Sequence, residues 1–121
     1  MSFFTKKELA CPCCGQLNIK DNFLKKLNNA RYMAGVAFII NSGCRCEKHN
    51  EIVGGSKTSS HLSSDIKESC AVDISVTDSR TRYIIIKYLI RAGFNRIGVA
   101  NSFIHVDDDE TKSPEVMWTY E

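Results

Sequence analysis

The chain has 121 residues, with 16 Lys and Arg against 14 Asp and Glu for a formal net charge of +2, six Cys and three His. Its length is that of one ordinary domain, expected to occupy residues 1–121 and large enough to bury a core. Its basic residues are scattered, which weighs against a dedicated nucleic-acid or membrane-surface binder, and its best apolar run, 83–90, holds Lys87 and falls well short of the roughly 18 to 20 residues of a membrane span.

The opening run MSFFTKKELACPCC has no signal-peptide apolar region, so the chain is expected to be made and left in the cytoplasm. That compartment disfavours a disulfide framework for the cysteines. Cys11 and Cys14 form a C-x-x-C half-site, and with Cys44 and Cys46 they offer four thiolates for a tetrahedral structural Zn2+. The alternative is free thiols filling gaps as small hydrophobes.

Asp21 reads as the N-cap of a helix over 22–34, where Phe23, Leu24, Leu27, Ala30, Tyr32 and Met33 approximate helical spacing up to the stop at Gly35. Residues 36–40 are a short β-branched and aromatic strand running into Asn41-Ser42-Gly43. Residues 44–69 are polar and punctuated by Gly54-Gly55-Ser56 and Thr58-Ser59-Ser60, a long loop of the kind that carries function. A strand over 70–76 follows, then a helix over 80–92 capped by Asp78 or Ser79, with Tyr83, Ile84, Ile86 and Ile90 as its core stripe. Residues 96–100 and 103–106 pair across Asn101-Ser102, and Asp108 to Glu110 read as an exposed acidic turn. Trp118 and Tyr120 either cover the edge of a site or pin the C-terminus. The order predicts an α+β domain with a small, mainly antiparallel sheet flanked by helices.

Chemistry concentrates in three places. Phe103, His105 and Asp107 share one face of the last strand, because residues two apart in a strand point the same way. Asp73 sits inside the apolar strand Cys70-Ala71-Val72-Asp73-Ile74, and a buried carboxylate needs a metal or a cation as compensation. His61 lies in the loop that leads to that strand. Two His and one Asp from separate elements, with a fourth position open, are the ingredients of a catalytic zinc site, although a hydrogen-bonded core histidine would also explain His105.

The blocks Ser42-Gly43-Cys44-Arg45, His49-Asn50, Val53-Gly54-Gly55, Ser59-Ser60-His61-Leu62, Ala71-Val72-Asp73-Ile74 and Phe103-Ile104-His105-Val106-Asp107 together resemble the zinc D-alanyl-D-alanine carboxypeptidase family. Within it they are most similar to the short phage and bacterial peptidoglycan peptidases. The wider superfamily includes the vancomycin-resistance dipeptidases and the hedgehog signalling domain. The resemblance spans about residues 4–120 and implies a hedgehog/DD-peptidase-like fold.

It also implies Zn2+ held by His61, Asp73 and His105, with Arg45 binding the substrate carboxylate or polarising the scissile carbonyl and Ser59 hydrogen-bonding the peptide. The implied reaction is metal-assisted hydrolysis of peptidoglycan stem peptides containing D-amino acids, as a D,D-carboxypeptidase or an endopeptidase. As a phage endolysin, the chain would act alone as a monomer and reach the cell wall after holin-type release.

Two departures from the family pattern stand out. The family writes H-x-x-G-x-A-x-D, whereas His61 and Asp73 are 73 − 61 = 12 apart, with Asp65 in the insertion as a rival ligand and Ser69 at the glycine position. The family's acidic general base, three residues before the last histidine, is Ser102 here, which leaves Asp107 as the nominated base. Without a base, the chain would be a zinc-binding module, impaired in catalysis, that recognises wall peptide or a protein partner. A cysteine-zinc nucleic-acid module would need a basic face that the scattered charges do not supply.

Overall fold

Helix formation follows the apolar spacing, and the sheet decides which face each helix buries. The computed structural model describes residues 2–120. The elements are α1 (Lys6–Leu9), α2 (Asp21–Ala34), β1 (Ile39–Ser42), α3 (Glu47–Ile52), β2 (Ala71–Ser75), α4 (Ser79–Arg91), β3 (Arg96–Val99), β4 (Phe103–Asp107) and β5 (Val116–Thr119). No helix among the described residues is long and apolar enough to cross a membrane.

α2 buries Phe23, Leu27 and Ala30 and stops at Gly35, whose φ of +68° is the left-handed cap conformation. Its N-cap is Lys20, and Asp21 sits inside the first turn, where the helix dipole favours a carboxylate. α4 is capped by Asp78, whose side chain accepts from the Thr81 N–H. Its buried residues are Ile85 and Leu89, while Tyr83 and Ile90 are 66% and 50% exposed, so the expected stripe is corrected. The run 83–90 is apolar almost throughout, so several helical phases fit it, and packing on the sheet and α2 selects the face of Ile85 and Leu89.

The sheet has five strands in the order β1-β2-β4-β3-β5, antiparallel except for the parallel pair β3 and β5. α1, α3 and β5 were not anticipated, and the first strand lies at Ile39–Ser42, a few residues later than expected. Val72, Ile74, Ile104 and Val106 point into the core beneath the helices. The opposite face carries the polar residues, and the register sets them in a row: Ser42 opposite Asp73, Asp73 opposite His105, His105 opposite Gly98, and Gly98 opposite Trp118. Period-two alternation thus places one strand's carboxylate beside the next strand's imidazole.

The insertion between His61 and Asp73 is pinched off at its base. The Cys70 N–H donates to Ser60 O at 3.0 Å, and Ser69 bridges to Ile19 through Lys20 N–H to Ser69 O at 2.8 Å and Ser69 N–H to Asn18 O at 2.7 Å. The extra residues therefore bulge outward without separating the ends of the loop.

Candidate metal centre and cleft

Asp73 is the hub. His61 Nε2 lies 3.2 Å from Asp73 Oδ1, and His105 Nδ1 lies 3.0 Å from the same oxygen. Tetrahedral zinc with bonds of 2.0 to 2.1 Å to nitrogen and oxygen has ligand-to-ligand edges of about 3.3 Å, so both spacings suit one ion. All three donor atoms lie within 4.8 Å of one another; His61 and Asp73 are buried, and the His105 side chain is 12% exposed.

The far side of each ring is fixed. His61 Nδ1 donates to the Gly43 carbonyl at 2.8 Å, and a carbonyl can only accept, so the proton belongs on Nδ1 and the Nε2 lone pair faces Asp73 when the ring is neutral. His105 Nε2 donates to Asp107 Oδ2 at 2.7 Å, which turns its Nδ1 toward Asp73. A carbonyl or carboxylate behind each imidazole is the usual support of a metal-bound histidine. Two lone pairs and a carboxylate converging on one point repel unless a proton or a metal cation sits among them.

The electrostatics agree. Burial pushes the Asp73 carboxyl up, but His105 and His61 outweigh it and hold it well below the usual carboxylate range. Burial pushes His105 down, and Asp107 and Asp73 outweigh that and raise it. The centre is anionic in its surroundings and favours positive charge.

Arg45 reaches the same hub. Its guanidinium donates to Asp73 Oδ2 at 3.5 Å, to Ser42 Oγ at 3.2 Å and to Asn50 Oδ1 at 3.3 Å, which fixes the fork at the cleft floor. The backbone of Arg45 is tied to the His61 loop, with its N–H on His61 O at 2.8 Å. Gly55 makes this packing possible, because a Cβ there would stand 2.0 Å from Asn50 Oδ1. Ser59 Oγ accepts the His61 N–H at 3.2 Å and lines the cleft.

Asp107 lies behind His105. It is 1% exposed; Oδ2 faces His105 Nε2, and Oδ1 accepts from Arg96 Nε at 2.7 Å and from the Asp109 N–H at 3.1 Å. Both oxygens have partners on the side of the ring away from Asp73, and the residue lines the cleft. Burial raises its pKa, and His105 and Arg96 outweigh burial and lower it. Asp65, the rival ligand, is exposed on the insertion and outside the cluster. Asp109 is not in an exposed turn: it is buried, accepting from Ser60 Oγ at 2.8 Å and from Thr111 Oγ1 at 2.6 Å.

The cluster opens into a cleft of about 370 Å³. Trp118 forms one wall, its ring 5.5 Å from that of His105, and the Tyr120 ring packs at a tilt 5.1 Å from that of Phe103 beside it. Gly98 makes room for that wall, since a Cβ there would lie 2.6 Å from Trp118 Nε1. The sequence left Trp118 and Tyr120 between two roles, and the structure places both at the cleft. A larger hollow of about 690 Å³ adjoins at Gly55, but it carries none of the three donor residues.

The cysteines gather elsewhere. Cys11, Cys13, Cys14 and Cys46 bring their sulfurs within 4.8 Å of one another. This corrects the expected set: Cys44 is fully buried and outside the group, and Cys13 takes its place.

A sequence model of one family, described as Peptidase M15, matches residues 3–107. No curated protein and no solved structure matches the chain.

Proposed function

Since the chain belongs to the peptidase M15 family, of the zinc D-Ala-D-Ala carboxypeptidase type, we propose that it hydrolyses amide bonds in peptidoglycan stem peptides containing D-amino acids, using His61, Asp73 and His105 to hold zinc. The observation that carries this reading is the convergence of His61 Nε2, Asp73 Oδ1 and His105 Nδ1, with each imidazole held from behind by Gly43 O or Asp107. When bound, zinc supplies Lewis acidity and water acidified enough to ionise near neutral pH.

The chain's own residues do the rest. Asp107 and the Gly43 carbonyl hold the two rings at the angle their near nitrogens need. Arg45, pre-set by Ser42 and Asn50, offers a fixed guanidinium to a peptide carboxylate or to the carbonyl that becomes anionic during attack. Arg96 and Lys112 also line the cleft, which suits it to the anionic end of a peptide. Ser59 stands where its hydroxyl reaches a peptide backbone, and Trp118 and Tyr120 shield one side from water. Release of a terminal D-Ala and cleavage of an internal bond both fit this floor, and an endolysin would be its cell-wall-degrading form.

One observation favours a second reading. Among the described residues the cleft carries no carboxylate besides Asp73 and Asp107, and both are engaged. A chain without a free base would hold zinc and wall peptide without turning it over. Incubation with purified peptidoglycan and with a D-Ala-D-Ala peptide separates the two. The peptidase reading expects product that disappears with chelator and returns with zinc; binding without product would replace it with the second reading.

A further inference from the structure

We propose that Cys11, Cys13, Cys14 and Cys46 form a second, structural zinc site, a tetrathiolate separate from the histidine centre. The four sulfurs lie within 4.8 Å of one another, and Cys13 Sγ is 3.8 Å from Cys46 Sγ. A tetrahedral zinc ion with bonds of about 2.3 Å to sulfur has sulfur-to-sulfur edges of about 3.8 Å, whereas a disulfide needs about 2.05 Å. The cluster therefore has the spacing of ligands around one soft cation.

The backbone is shaped for the same purpose. Residues 11–15 fold into a tight knuckle, with the Gly15 N–H on Cys11 O at 2.8 Å and Gly15 at φ +77°, a conformation that glycine adopts without strain. Main-chain donors aim at the sulfurs: the Cys46 N–H at Cys11 Sγ and the His49 N–H at Cys46 Sγ, each at 3.4 Å. Cys13 and Cys14 are exposed, so they contribute little as buried hydrophobes and leave the knuckle short of apolar anchoring.

The ion would brace the segment that serves the cleft. Cys46 follows Arg45 directly and caps α3, while the Cys44 N–H is tied to Leu9 O at 2.8 Å and a Cβ on Gly43 would stand 2.5 Å from that same oxygen. The N-terminal knuckle is thus clamped onto residues 43–46, which supply the Gly43 carbonyl behind His61 and the Arg45 fork. This last consequence rests on the peptidase reading; the metal site itself does not.

The test is zinc content together with zinc-edge X-ray absorption on the full chain purified under reducing conditions. His61→Ala/His105→Ala lacks the histidine centre, so its metal reports on the cysteines whatever becomes of the peptidase reading. That variant is expected to keep one zinc per chain, with four sulfur neighbours at about 2.3 Å. Cys13→Ser/Cys46→Ser should lose the sulfur shell, and Cys44→Ala should keep all of it. Should the histidine variant fail to fold, the unaltered chain gives the same answer through the presence or absence of sulfur neighbours. Zinc without a sulfur shell, no zinc in the folded histidine variant, or loss of the shell in Cys44→Ala in place of Cys13→Ser/Cys46→Ser would overturn the proposal.

Discussion

Asp107→Asn separates two roles for one buried carboxylate. The substitution keeps the volume and one acceptor, so either His105 Nε2 or Arg96 Nε retains a hydrogen bond and the other loses a charge-assisted one. That loss costs about 1.5–3 kcal/mol of stability. If Asp107 orients His105, metal affinity at the histidine centre falls about 10- to 100-fold, or about 1.4–2.7 kcal/mol, as for other groups behind a ligating imidazole. If Asp107 were the general base, affinity would hold and turnover at saturating metal would fall about 10²- to 10⁴-fold. The assay is a chelator competition for zinc, with the binding retained by His61→Ala/His105→Ala subtracted, alongside peptide cleavage at saturating zinc. Unchanged metal affinity would refute the orienting role.

Three further outcomes follow from the same geometry. His105→Ala removes one of three donors and should abolish both zinc retention at the centre and wall-peptide cleavage; full activity in the folded variant would mean that the site lies elsewhere. Gly55→Ala drives a methyl into Asn50 and the Arg45 fork, so KM for a peptide with a free carboxylate should rise about tenfold or more while zinc affinity holds, checked by steady-state kinetics and chelator competition. The third concerns Asp109, where burial raises the carboxyl and hydrogen bonds from Thr111 and Ser60 outweigh it, holding it at about 2. A carboxyl lowered in the folded state adds stability that is fully present above the unfolded value of about 3.9 and is lost as pH falls toward 2. The stability gap between the unaltered chain and Asp109→Asn in denaturant titrations should therefore be constant above about pH 4 and shrink below it; a gap that widens on acidification would contradict the network.

Where one period dominated, the sequence was readable. The α2 helix ending at Gly35 and the hairpin across Asn101-Ser102 have strong local signals, and the α+β class with a mainly antiparallel sheet follows from their order, although of the expected α2 stripe Tyr32 is 74% exposed while Phe23, Leu27 and Ala30 are buried. The uniformly apolar 83–90 run carries no phase of its own, so the buried face of α4 depended on tertiary packing. α3 was hidden because Glu47–Ile52 is short and polar, with only Asn50 buried, and its cap is a cysteine sulfur. β5 pairs with β3 in parallel, a contact that no local pattern encodes. At the site, Asp73 was legible as a carboxylate inside an apolar strand, and the cross-strand register is what sets it opposite His105 on one sheet face. The same alternation put Asp107 beside His105 but could not tell which edge of the ring it would meet. The cysteine grouping failed for a similar reason: sequence spacing favoured Cys44, and only the turn into α3 shows that Cys46 alone of that pair faces the knuckle.

The central claim is that one metal ion sits among His61 Nε2, Asp73 Oδ1 and His105 Nδ1. The most direct measurement is an anomalous difference map collected at the zinc edge from crystals of the full chain grown with zinc. A peak about 2.0–2.2 Å from those three atoms is the predicted result. A map with no peak at the three donors, or with zinc bound to Asp65 in place of Asp73, would contradict the account.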